Sequence, residues 1–421
     1  MRDSPGKRPR AGSRFAMVSA MASLFCAGAA GAQAVTLDSR VLLFHEPSKG
    51  SGMTVYAPST DLTVNPWDFL AVSGGWEADI VSGASEKIKG GPISRVGADV
   101  VTGASVKDVR HQGRGSVTFK RDATQISAGG SDSSENDYKS RSFNMAARTD
   151  LFQHNTQFEL AYARNWDSVC DTSHIGNTDP TLRQPLDTSA NCFAKGTTER
   201  VVRPIRTDAF QLTWSQAWTP VLMTQLVYTG QLQNGFLSDP YRAVVLSTSG
   251  QAAQEHHPEN RARQAFSLRT AYFVRPLKGA IRLGLRGYRD TWHLWSGAVE
   301  VEAEKYVFPW LRVRANARYY NQTAALFWSD DYTGGEPLYG PRGQYWSGDR
   351  ELSPFSSYMF GGRALASLAA DDRRIFGIFQ GLSAAFGLDV LIYAYRDFTL
   401  GGRKPDDNKA YIGSLSVTAM F

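Results

Sequence analysis

Beyond its first residues, this 421-residue chain has no stretch approaching the ~18 consecutive apolar residues that a membrane helix needs. If it crosses a membrane, it must do so as a closed β-barrel, the other structure that satisfies every backbone polar group in lipid. Catalytic signatures are missing too: no HExxH, nucleophile elbow, GxxxxGKS/T or CxxC spacing occurs. His45, His111, His154, His174, His256, His257 and His293 are scattered, several of them in polar loop-like segments. No enzyme, catalytic residue, cofactor or metal site is therefore expected. His256-His257 beside Glu255 and Glu259 is the nearest approach to a metal site, and its usual explanation is a solvated polar loop.

Cysteine is scarce, with only Cys26, Cys170 and Cys192. Basic blocks are absent downstream of the N-terminus, which argues against a nucleic-acid partner although the formal net charge is +6. The excess sits in the first residues. Arg2, Lys7, Arg8, Arg10 and Arg14 precede an apolar stretch, Phe15 to Gly31, and two A-x-A sites follow at Ala30 to Ala34. This is the pattern of a secretory signal, expected to occupy residues 1–34 and to be cleaved near Ala32 or Ala34. Its removal leaves 41 basic against 39 acidic residues over 35–421, a net charge of +2. Cys26 leaves with it. In an oxidising compartment Cys170 and Cys192, within one irregular segment, are expected to form a disulfide; two free thiols or a metal pair with His174 are the alternatives.

The segment 35–421 reads as one all-β unit. Apolar and polar residues alternate in about sixteen stretches, or fourteen if the first two (37–46 and 53–64) are something else. The others fall at 67–82, 109–121, 123–132, 137–148, 153–165, 205–218, 220–234, 262–275, 279–291, 293–305, 308–329, 355–369, 381–397 and 408–421. Connections at 83–108, 166–203, 236–261 and 330–353 are long; those at 65–66, 121–123, 149–152, 219–220, 276–278 and 306–308 are short. Long and short connections fall on opposite ends of the strands. A transmembrane antiparallel barrel sorts its loops this way and a soluble sandwich has no reason to.

The last stretch ends on an aromatic. Tyr411, Leu415, Val417, Ala419 and Phe421 share one face, and Ser414, Ser416 and Thr418 the other. It resembles the closing strand of bacterial outer-membrane barrels, which implies the barrel-assembly machinery as a partner during biogenesis and outer-membrane lipid around the mature protein. Asp79-Ile80-Val81-Ser82-Gly83-Ala84-Ser85 is echoed by Asp99-Val100-Val101-Thr102-Gly103-Ala104-Ser105. Together with Val109-Arg110-His111 and the strand from Phe158 to Trp166, these residues are similar to a bacterial domain-of-unknown-function family of outer-membrane β-barrel proteins. That resemblance implies the fold and the bacterial outer membrane, and it carries no catalytic residues. The echo itself admits two readings, a chance likeness or a paired turn at the barrel mouth.

Alternation assigns an inward face. Leu70, Val72, Trp76 and Ile80 oppose Glu77 and Asp79; Ile281, Leu283 and Leu285 oppose Arg282 and Arg286; Val299, Val301 and Ala303 oppose Glu300, Glu302 and Glu304; Leu311 and Val313 oppose Arg312, Arg314, Asn316 and Arg318. Through the turn near 306–310, Glu304 is expected beside Arg312 and Glu302 beside Arg314, pairs that stabilise a sheet by ~0.2–1 kcal/mol each. Such a wall is either a self-neutralising ladder or a charged constriction that sorts solutes. Trp67, Trp166, Trp218, Trp292, Trp295, Trp310 and Trp328 read as interfacial girdles. A channel or binding barrel for a small solute is expected; the alternative is a non-conducting scaffold that meets partners through loops 83–108, 166–203 and 330–353.

Overall fold

A computed structural model describes residues 34–47, 52–82, 100–102, 107–171, 193, 201–239, 242–246, 251–330, 345–370, 374–399, 404–405 and 408–421. The expected signal segment before Ala34, Cys192, and most of the loops at 83–108, 166–203 and 330–353 lie outside the described residues.

Sixteen antiparallel strands form one closed barrel. Its wall begins with β1 (Ala34–Glu46), β2 (Met53–Trp67) and β3 (Leu70–Ser82). Then β4 (Val100–Thr102) leaves the wall, and β5 (Lys107–Arg121), β6 (Thr124–Ser134), β7 (Tyr138–Leu151), β8 (Thr156–Asp171), β9 (Val201–Thr219) and β10 (Leu222–Gly235) resume it. After β11 (Arg242–Leu246) and β12 (Gln251–Gln254), the wall continues with β13 (Asn260–Val274), β14 (Gly279–Asp290), β15 (Trp295–Phe308), β16 (Leu311–Gln322), β17 (Phe355–Ala369), β18 (Gly381–Tyr395) and β19 (Lys409–Met420). Each alternating stretch of the sequence is a wall strand, the first two included. β19 pairs with both β18 and β1, Leu415 opposite Val41 and Thr36 opposite Met420, so the wall has no free edge.

The outside is apolar. Ile281, Leu283, Leu285, Val299, Val301 and Val313 are exposed, whereas the alternate residues Arg282, Glu302, Glu304 and Arg314 are largely shielded. In water so continuous an apolar surface would aggregate; around a closed barrel it is the lipid contact of an outer-membrane protein. Aromatic rings mark the two ends. Trp67 stacks on Phe69 at 5.7 Å and Phe308 on Trp310 at 5.6 Å at the short-turn end, while Trp76, Trp166 and Trp295 stand exposed nearer the other. Trp292 and Trp328 depart from the expected girdle: both are buried in a cluster with Leu294, Phe327, Leu352 and Phe398.

Several short turns carry a left-handed backbone, at Asp122, at Phe152 to His154 and at Lys278. Asp122, between β5 and β6, has φ 49°, a conformation that Asp adopts at little penalty in two-residue hairpin turns. At the long-loop end, β11 pairs with β12 and with β4 to make a small separate sheet. Among the described residues the two echoed segments do not pair with each other: Ile80 and Val81 lie in the wall on β3, and Val100 to Thr102 in this sheet. One strand is shorter than the alternation suggested. β16 stops at Gln322, because the chain turns away there and Ala324, Ala325, Phe327 and Trp328 pack into the buried cluster.

Candidate functional site

Glu304 is the hub of the charged wall. Its carboxylate accepts from Arg314 Nη2 at 2.9 Å and from Arg312 Nη1 at 3.2 Å, and Arg282 Nη2 lies 3.4 Å away. Glu302 lies 3.3 Å from Arg282 and 3.4 Å from Arg314. Three guanidiniums thus share two carboxylates on the inner face of β14, β15 and β16. The register differs from the expected one by a step: Glu304 stands directly opposite Arg314, and Glu302 opposite Asn316. β15 runs on to Phe308, opposite Leu311, so the hairpin turns at Pro309-Trp310 and the contacts of Arg312 with Glu304 and of Arg314 with Glu302 are diagonal.

Glu77 and Asp79 occupy a second network across the barrel. Arg110 bridges them, and Arg114 joins Glu77 at 2.9 Å to Asp61 at 2.5 Å. Gly75 permits it: a Cβ there would stand 2.0 Å from Asp61 Oδ1. Sequence reasoning singled out the acids and passed over Asp61, Arg110 and Arg114. The alternation of Val109, Val117 and Phe119 on β5 already turned both arginines inward.

The remaining inward arginines are different. Arg263 on β13 reaches Gln231 Oε1 at 3.3 Å, Arg363 on β17 reaches Ser416 Oγ at 3.3 Å, and Arg318 lies over the Tyr320 ring. These three, with Arg269 and Arg286, form no ion pair among the described residues, although Glu300 stands opposite Arg318. Near them, Asp389 is taken by Asn316 at 2.9 Å. The inner face from β13 to β17 therefore carries more cation than its carboxylates neutralise.

The mouth is narrowed by the chain between β16 and β17. A single 3-10 turn, Arg350–Leu352, is capped by Asp349 and held by Gln322, whose amide donates to Glu351 O at 2.8 Å and Ser353 O at 2.7 Å. From it Arg350 reaches over β18 and β19 to Glu46 on β1 at 2.6 and 3.1 Å. The other flank is tied down by Glu255 and His257, both buried, which corrects the expectation of a solvated loop there. Glu255 accepts from Gly348 N at 3.0 Å and lies 3.3 Å from His257 Nε2; His257 N donates to Ser238 Oγ, and its ring packs on Trp292 at 5.3 Å. Among the described residues no group of His, Cys, Asp and Glu has the geometry to hold a metal. Between this turn and the facing wall lies a cavity of about 650 Å³, lined by Arg110, Tyr138, Arg261 and Arg263 on the wall side and by Asp349 and Glu351 on the turn.

The structure places the remaining singled-out residues as follows. Cys170 is fully buried at the end of β8. Tyr411, Leu415 and Val417 lie exposed on the outer face of β19, Ala419 is buried, and the Phe421 ring packs on Phe379 at 5.2 Å.

Solved structures that align with this chain include outer-membrane proteins. A bacterial polysaccharide outer membrane secretin aligns over 91% of this chain and 97% of its own at 9% identity and a TM-score of 0.46. Pseudomonas putida OprB aligns over 96% and 97% at 9% identity and a TM-score of 0.43. Pseudomonas aeruginosa OccK2 (OpdF), solved in complex with glucuronate, aligns over 92% and 98% at 10% identity and a TM-score of 0.40. No curated protein matches the chain by sequence. A family model matches residues 15–372, most of the chain, and on that match this outer-membrane barrel belongs to the family described as Protein of unknown function (DUF3570).

Proposed function

We propose that the barrel passes or binds small anionic solutes, with the inner face of β13 to β17 as the selective wall. The observation that carries this is the set of inward guanidiniums, Arg263, Arg269, Arg286, Arg318 and Arg363, without ion pairs among the described residues. A charge ladder serving only to stiffen the sheet would neutralise itself, as Arg282, Arg312 and Arg314 largely do on Glu302 and Glu304. Unpaired cations facing a lumen instead raise the local concentration of anions. Sixteen strands enclose a lumen wide enough for water. The cavity under the mouth, with Arg263 in its wall, is the first place an entering solute would meet that charge.

A second reading rests on the mouth itself. The buried cluster around Trp292 and Phe327, together with the Arg350 turn, occupies the opening, and a barrel closed there would serve as a platform. Single-channel recording of the refolded protein in a planar bilayer separates the two, beside a heat-modifiability gel that reports barrel formation. Stable open steps with a reversal potential favouring anions support the conduit. A silent but heat-modifiable protein supports the platform. In the conducting case, Arg286→Glu or Arg318→Glu should move the anion-to-cation permeability ratio toward cations by roughly thirtyfold. A unit charge at ~4 Å is worth about 1 kcal/mol in water, and reversal counts it twice.

A further inference from the structure

A groove of about 580 Å³ crosses the lipid-facing wall between β10 and β16. Its sides are Leu226, Phe266, Leu268, Leu285, Val299 and Tyr319, and its floor is Gly287 and Gly297, which face each other across β14 and β15. The row reads Phe266, Gly287, Gly297, Asn321 from strand to strand, so two side chains are missing from the middle of an otherwise bulky band.

Glycine inside a strand marks a bulge, a bend, a close backbone approach or a bound ligand. Three of these are absent here. The register of β14 with β13 and with β15 runs unbroken through both glycines. Neither glycine is among the residues with positive φ. A Cβ on Gly287 would meet nothing within 4 Å, and one on Gly297 only Arg286 O at 3.8 Å, so no backbone approach requires them. What remains is the space the missing side chains leave.

One same-face step toward the outer rim, about 7 Å at the strand rise of ~3.4 Å per residue, the pattern changes from apolar to cationic. Arg289 stands there exposed on the outer face, with its guanidinium over the Trp295 ring at 4.9 Å and no ion pair among the described residues. An apolar trough that ends at an unpaired arginine beside a tryptophan, at the level of the outer girdle, matches an amphiphile with one hydrocarbon tail lying inward and an anionic head at the rim.

We infer that this groove is a specific site for a phosphorylated lipid of the outer leaflet, one acyl chain lying over Gly287 and Gly297 and a phosphate at Arg289. The site lies on the wall opposite to the lumen and is independent of what the barrel conducts.

Native mass spectrometry of the detergent-released protein, incubated with diphosphorylated lipid A or with phosphatidylcholine, tests it. The wild-type protein should retain one lipid A with at least tenfold preference over phosphatidylcholine. Arg289→Gln should lower retention about tenfold, and Gly287→Leu, which fills the trough and leaves the head site intact, should do the same. Excess inorganic phosphate should not displace the lipid. Heat modifiability shows that each variant has folded, and Leu283→Ala, on the same face outside the groove, serves as a control with unchanged retention. Equal retention of the two lipids, or full retention by both groove variants, overturns the proposal. So does a change of oligomeric mass with Gly287→Leu at unchanged lipid retention, which would make the groove a contact between copies of the chain.

Discussion

Arg350 and Glu46 stand 304 positions apart in the chain and meet in a two-pronged ion pair at 2.6 and 3.1 Å across the barrel mouth. Their side chains are 14% and 4% exposed, so the pair is shielded from water. Removing one partner of such a pair leaves the other charge buried, at a penalty of about 3–5 kcal/mol, whereas apolar replacement of both is often nearly neutral. Glu46→Gln is accordingly expected to lower the heat-modifiability midpoint sharply and to free the Arg350–Leu352 turn. In a conducting barrel the freed turn should appear as a larger and noisier open state. The double replacement Glu46→Met with Arg350→Met should restore the midpoint while keeping the larger conductance. A single variant that melts like the parent would mean that the pair does not hold the mouth.

Removing the Glu304 carboxylate tests the wall hub separately from the mouth. Glu304→Gln leaves Arg282, Arg312 and Arg314 with Glu302 as their nearest carboxylate. Each lost cross-strand pair is worth up to ~1 kcal/mol, so a drop of about 1–2 kcal/mol in stability to urea is expected, with anion preference increased rather than lost. Opposite directions for stability and selectivity distinguish a structural hub from a solute ligand.

The wall was legible in the sequence because it obeys a two-residue period. Ile281, Leu283 and Leu285 against Arg282 and Arg286 fix which face meets lipid, and the pleat leaves no other choice. Register was only partly legible, since β15 runs on to Phe308 before turning, which sets Glu304 opposite Arg314 instead of Arg312, and the alternation does not mark where a strand turns. The mouth was illegible for a different reason. Trp292, Trp328, His257 and Glu255 lie in connections without a period, and their burial depends on loops far apart in sequence meeting over the lumen. Polar composition there suggested solvent; the buried ring of Trp292 against His257 shows that composition alone does not report burial.

Cys170 provides a test of compartment as well as of structure. It is fully buried at the end of β8, and a bond to Cys192 would close a loop of about 20 residues, contributing roughly 3 kcal/mol in the chain-entropy account. Peptide mapping without reductant should recover the two cysteines in one linked fragment. Both cysteines alkylated in the native, unreduced protein would rule the bond out.

Phe421 sits at the barrel seam, and a second duty is proposed for the row of residues that leads to it. Phe421 closes the seam, its backbone N–H donating to Val35 O at 2.9 Å and its ring packing on Phe379. The proposed second duty is recognition by the assembly machinery through the outward row Tyr411, Leu415, Val417, Ala419 and Phe421. A seam defect lowers stability wherever the protein folds, whereas a recognition defect shows only in cells. Truncation before Phe421 should therefore refold in detergent to a heat-modifiable barrel with a midpoint within a few degrees of the full chain, since one half-buried ring at the wall's edge is lost. Its insertion into outer membranes in vivo should fall several-fold. Equal losses in the two settings would assign Phe421 to the seam alone, and normal insertion in cells would remove the C-terminal residue from the recognition row.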